Sequence, residues 1–167
     1  MARVLSVNIE HFPIAGTFTI SRGSKTEAEV VAVTIRDGEF VGRGECVPYR
    51  RYGETMEGVV EAINAHGKKI EAGIGRQELM SVLPAGAARN AVDCALWDLE
   101  AKASGRPVWA SLSDAPPKAL ETAYTLSLGT PEAMAAQARA NAMRPLLKVK
   151  IGGGDDDGER IRAVVQA

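Results

Sequence analysis

The chain has 167 residues, 46% hydrophobic and 25% charged, with a formal net charge of −1. This is globular composition, without the basic footprint of a nucleic-acid partner and without an apolar run of the roughly 20 residues that span a bilayer. The start of the chain lacks the pattern of a secretory leader, and Cys46 and Cys94 lack metal-ligand spacing, so two reduced, mostly buried thiols in the cytoplasm are expected.

Residues 3–9 suit a strand, a polar loop is expected over 17–26, and 29–35 form a β-branched run. Asp37-Gly38 followed by Phe40 to Glu45 reads as a hairpin whose two central turn residues need positive φ. Gly42 and Gly44, inside that hairpin, read as a bulge. Met56, Val59, Val60, Ile63 and Ile70 predict one helix over 55–70. A second helix is expected over 84–103, with Val92, Ala95, Leu96, Leu99 and Ala103 on one stripe, Trp97 in the core, and Gly105 and Pro107 at its stop. To this point the pattern is α+β: a small antiparallel meander with helices behind it.

The period then changes. Residues 121–128 suit a strand, and Thr130-Pro131 offers an N-cap and a first-turn proline for a helix over 131–143. A strand over 146–151, a glycine and aspartate loop over 152–157 and a helix over 159–166 follow. Strand, helix, strand, helix at this spacing implies parallel βα units. Two such units cannot close a sheet.

Lys148-Val149-Lys150 is the triplet most suggestive of chemistry. Alternation puts both ammonium groups on one side of a strand, where each disfavours the other's charge and so favours a lysine able to accept a proton. The flanking Leu146, Leu147 and Ile151 suggest a strand buried on both faces, and the glycines that follow place Lys150 at a strand's C-terminal end, where βα barrels build their sites. The spacing alone leaves a second reading open, two lysines on the wet face of an ordinary strand. Gly152-Gly153-Gly154 lacks phosphate-loop spacing and precedes three aspartates, so it reads as a flexible connection. His11 and His66 have no neighbour in sequence that suggests a triad or a metal site.

The run from Ala88 to Lys102, Ala-Arg-Asn-Ala-Val-Asp-Cys-Ala-Leu-Trp-Asp-Leu-Glu-Ala-Lys, with Pro107 after it, resembles the first signature of the mandelate racemase/muconate lactonizing enzyme family in the enolase superfamily. The resemblance implies an α+β capping domain over 1–118 and the first two units of a (β/α) barrel over 119–167. Ser21-Arg22-Gly23 and Gly44 to Thr55 are similar to the two capping loops of dipeptide epimerases of the L-Ala-D/L-Glu type, and Thr122 to Thr125 resembles their first barrel strand.

That resemblance implies an isomerase that inverts an α-carbon of a small dipeptide through an enolate. Lys150 would transfer the proton on one face and Lys148 would keep it partly neutral. Arg22 would bind a substrate carboxylate, Tyr52 would line the pocket, and Thr125 would touch substrate from the first strand. Mg²⁺ is the implied cofactor, with its carboxylates, and the opposite base, on later barrel strands; Asp155, Asp156 and Asp157 are not expected to be ligands. The chain is therefore expected to be the front part of such an enzyme. A muconate cycloisomerase, an o-succinylbenzoate synthase, an N-acylamino acid racemase and a non-catalytic module stay open as alternatives, as does a homo-oligomer.

Overall fold

A computed structural model of the chain describes residues 3–167. These fall into two compact units: residues up to His11 with Glu29–Pro117, and Phe12–Ala28 with Lys118–Ala167. The division runs through two long strands, β1 (Val4–Ile20) and β2 (Gly23–Asp37), which with β3 (Phe40–Cys46) form a sheet of order β1-β2-β3.

The polar loop expected over 17–26 is strand instead, with only Ser21 and Arg22 left as a turn. Thr17, Phe18, Thr19, Ile20 and Thr26 are β-branched or aromatic, and a ladder satisfies the backbone groups that a loop leaves to water. The turn into β3 is Gly38-Glu39, with Asp37 facing Phe40. Only Gly38 takes a positive φ, 60°, the pattern of a Gly-X turn rather than one with both centres left-handed.

In the first unit, β2 and β3 pair without a break, Ile35 opposite Gly42 and Val33 opposite Gly44. The glycines therefore mark no bulge. They make room for α4 (Ala87–Ser104): a Cβ on Gly42 would strike the Ala95 carbonyl oxygen, and one on Gly44 that of Ala91. Ala91, Ala95 and Leu99 recur every four residues, so one helix stripe lies on the glycine face of β3. Gly105 closes α4 in the left-handed region, φ 67°, as its position after the stripe predicts.

The single helix expected over 55–70 is two, α1 (Met56–Ala65) and α2 (Gly67–Glu71), broken at His66 with Gly67, a poor helix former, next to it. A further helix, α3 (Arg76–Val82), has no counterpart in the expected elements; its seven residues bury Leu79 alone, too little for a periodic signal. Val31, Val33, Ile35, Ile63, Ile70 and Leu96 join Leu79 in one buried cluster.

The second unit carries β4 (Tyr124–Leu126) and β5 (Leu147–Val149), paired in parallel, with α5 (Pro131–Ala140) between them in sequence and α6 (Asp157–Val165) after. The Tyr124 N–H donates to the Leu146 carbonyl at 2.9 Å and the Lys150 N–H to that of Leu126 at 3.3 Å, extending the ladder at each end. Thr130 caps α5, its hydroxyl accepting from the Ala133 N–H. Leu126 and Met134 are fully buried. The strand around Lys148 is not buried on both faces, however: Leu146 is 50% and Ile151 52% exposed. Among the described residues β5 pairs with β4 alone, and two strands are too few to cover the flanking apolar residues.

Candidate functional site

Parallel pairing sets Thr125 opposite Lys148. Lys150 follows two residues on, so alternation puts Thr125, Lys148 and Lys150 on one face of β4 and β5, while Leu126 and Val149 take the other. Thr125 and Lys150 are half-buried and Lys148 is exposed. A threonine and two lysines thus share one face near the C-terminal ends of two parallel strands, the end at which βα barrels build their sites.

The hairpin tip that carries Arg22 belongs to the same unit. The Ser127 hydroxyl donates to the Thr17 carbonyl at 3.3 Å, and the Leu128 N–H to that of Thr19 at 3.1 Å. Both donors lie just past the end of β4, so the strand pair ending in the Ser21-Arg22 turn is fastened to the segment that follows Thr125 and Leu126. Closer to the tip, the Thr19 and Ser24 hydroxyls bond at 2.9 Å.

In the acidic run after β5, Asp157 is taken up by hydrogen bonds to the protein's own groups. Asp157 accepts from the N–H groups of Gly152 at 2.9 Å and Gly153 at 2.6 Å, and from Arg160 Nη1 at 2.9 Å. The Gly152 N–H, helped by Gly153 and Arg160 against the opposing effect of burial, holds this carboxyl below the usual aspartate range. Asp156 lies 3.5 Å from the same guanidinium. The glycines are consequently no slack connection but a pinned turn.

Tyr52 belongs to the first unit, on a 3-10 turn over Arg50–Tyr52, and is 77% exposed. Its ring sits 5.6 Å from that of Tyr49, tilted by 57°. The segment is held by Glu54, whose Oε1 accepts from the Ala87 N–H at 2.7 Å and Oε2 from the Tyr49 N–H at 2.9 Å. Those two N–H groups, Ala87 first, lower the Glu54 pKa. Glu54 thus satisfies a first-turn amide of α4, which has no cap of its own, and ties the Tyr52 turn to it. Sequence reasoning missed this role, because Ala87 lies 33 residues away and no local pattern announces it.

Three polar residues of the Ala88 to Lys102 run also have their task here. Asn90 Nδ2 donates to the Glu45 carbonyl, Asp98 accepts from the Arg43 N–H at 2.8 Å, and Lys102 Nζ donates to the Val41 carbonyl at 2.8 Å. Val41, Arg43 and Glu45 point these groups away from β2, so α4 covers the open edge of β3. Trp97 is half-buried under the Arg76 guanidinium, 3.3 Å from the ring centroid, rather than in the core. Cys46 is buried and Cys94 exposed, not both buried as expected. His11 does have an acidic neighbour, Glu29, at 3.9 Å.

Residues 2–112 match the model for the mandelate racemase/muconate lactonizing enzyme N-terminal domain. The chain belongs to the mandelate racemase/muconate lactonizing enzyme family. Within it, the L-Ala-D/L-Glu epimerase of Escherichia coli (strain K12) is 42% identical over 151 residues, covering 89% of this chain and 47% of that protein. A crystal structure of an enolase family member from Agrobacterium tumefaciens, with homology to dipeptide epimerases and with sodium and L-Ala-L-Glu bound, superposes with a TM-score of 0.92 at 55% identity, covering 98% of this chain and 50% of that one. The dipeptide epimerase of Enterococcus faecalis V583, complexed with Mg and L-Leu-L-Tyr, gives a TM-score of 0.84 at 27% identity, with 99% and 50% covered. The chain therefore spans about half the length of the relatives it matches. In this mandelate racemase/muconate lactonizing enzyme chain, the antiparallel sheet with its helices is the α+β capping fold, and the two parallel βα units begin a (β/α) barrel. Among the described residues no helix is long and apolar enough to cross a membrane.

Proposed function

We propose that these residues are the cap, over 1–118, and the barrel start, over 119–167, of a cytoplasmic dipeptide epimerase that uses Mg²⁺. The observation that carries the reading is the grouping of Thr125, Lys148 and Lys150 on one face at the ends of two parallel strands, in a chain of a family whose named relatives epimerise dipeptides.

In this reading Lys150 Nζ, uncharged, takes the α-proton of the dipeptide's C-terminal residue as the C–H electron pair moves into the carboxylate to give an enolate. A proton returned to the opposite face, from a protonated acid/base group outside these residues, inverts the carbon and leaves that group deprotonated. Lys148, two residues away on the same side, adds a second cation to the face that meets the anionic substrate. Thr125 donates a hydrogen bond to substrate, Arg22 pairs with a substrate carboxylate through its planar fork, and Tyr52 lines the specificity pocket. Mg²⁺, when bound by carboxylates outside these residues, supplies positive charge for the enolate oxygens.

The experiment is solvent-deuterium exchange at the α-carbon in the full-length polypeptide with Lys150→Ala. Exchange should vanish from one stereoisomer of L-Ala-Glu and persist from the other. Unchanged exchange from both would remove Lys150 from the mechanism.

A further inference from the structure

Arg160 sits on α6, yet its side chain reaches beyond that helix. Its Nε donates to the Gly129 carbonyl at 2.9 Å, while Nη1 donates to Asp157 Oδ1 at 2.9 Å. Asp157 in turn reaches back to Gly152 and Gly153 rather than to the first amides of its own helix. Gly129 lies four residues past Thr125, and Gly152 two residues past Lys150. Guanidinium and carboxylate therefore buckle the loop after β4 to the loop after β5. Both side chains are 18% exposed, and a Cβ placed on Gly152 would meet the Leu128 side chain at 3.5 Å.

We propose that Asp157 and Arg160 are positioning residues that set Lys150 at the end of β5 for proton transfer. The proposal rests on the reading of Lys150 as the base on one face. Among the described residues, the ladder beyond Val149 is a single bond, Lys150 N–H to Leu126 carbonyl at 3.3 Å, so the backbone under Lys150 has little else in β4 to fix it. The buckle takes hold directly after it, and it requires a planar fork: one N–H for the carbonyl and another for the carboxylate, which an ammonium cannot supply in the same geometry. A helix cap would need neither Gly129 nor Arg160. Proton transfer is steep in distance, and a misplacement of about 1 Å costs up to roughly a hundredfold in rate.

The test compares α-proton exchange from each stereoisomer of L-Ala-Glu in full-length Asp157→Asn, Arg160→Lys and Lys150→Ala proteins. A buckle that positions Lys150 slows exchange from the stereoisomer this lysine serves by about tenfold or more in both buckle variants, and leaves the opposite one within about twofold. Equal slowing of both stereoisomers, or none, overturns the proposal while Lys150→Ala still abolishes one side. Exchange that survives Lys150→Ala overturns the base assignment and the buckle's purpose with it. Arg160→Lys keeps a charge beside Asp157, so it gives a folded variant if Asp157→Asn does not.

Discussion

Thr125 faces Lys148 across the parallel ladder of β4 and β5. The register sets a hydroxyl beside an ammonium on the face that also carries Lys150, and it joins two residues 23 positions apart whose side chains no local pattern relates.

On the proposed epimerase reading, Lys148→Met in the full-length polypeptide should lower kcat by about tenfold or more, because the face that carries Lys150 loses one of its two cations. Thr125→Val, which keeps the branched shape, should instead raise KM through one lost hydrogen bond, of roughly 0.5–1.5 kcal/mol. Steady-state kinetics separate the two. A Lys148 variant with unchanged kcat would make that lysine a solvated strand charge.

Packing of α4 on β3 gives a stability prediction. A Cβ on Gly42 would also meet Leu99 Cβ at 2.6 Å, and one on Gly44 would meet the Ala95 N at 2.6 Å. Because these neighbours are helix backbone or directly attached to it, the helix must move away as a whole. Gly42→Ala and Gly44→Ala should each cost about 2–3 kcal/mol, read as a lower urea midpoint at unchanged m. Gly154→Ala, with nothing within 4 Å of the added carbon, should stay within about 0.5 kcal/mol. Equal midpoints for all three would contradict the close approach.

Glu54 links the Tyr52 turn to α4 through its charged form. Its folded pKa lies below the ordinary 4.5, so the stability it adds is complete above that ordinary value and is lost as pH falls through the lower folded one. Glu54→Gln should therefore be less stable than the parent near neutral pH, by about 1 kcal/mol after allowance for solvent. The gap should close in acid below pH 4.5. Urea titrations at a series of pH values check it; a gap independent of pH would mean that the charge does not matter.

The cysteines should react in a fixed order. Burial, reinforced by the Glu54 charge, raises the Cys46 thiol to about 11, and Cys46 is 6% exposed. Cys94 is exposed and raised less far from its ordinary value, by burial and Asp93. Iodoacetamide near pH 8 should modify Cys94 slowly and leave Cys46 intact until the protein unfolds, as followed by mass spectrometry of peptides. Equal labelling of both in the folded protein would refute this.

Local signals were legible wherever the folding cause is local. The Thr130 cap, the stripe of α4 with Gly105 after it, and the alternation that puts Lys148 and Lys150 on one side depend on residues at most a turn or so apart. The fold class was legible for the same reason, since period two giving way to period 3.6 distinguishes a meander from βα units. Short elements escaped: α3 has one buried residue, and the strand character of 17–26 hid behind polar side chains on an exposed arm.

By itself, the sequence determined the change from an antiparallel meander to βα units, the family to which the chain belongs, and the two lysines that share a side, but not α3, the break at His66 or the strand over 17–26. Only tertiary structure decided what the glycines of β3 are for, since a bulge and a close helix contact read alike until α4 is laid on them. It also decided the partners of Glu54 and Arg160, which bond to backbone 33 and 31 residues away. A carboxylate or guanidinium carries no mark of a distant amide or carbonyl in its own neighbourhood, because the chain must pack before the two ends of such a bond meet.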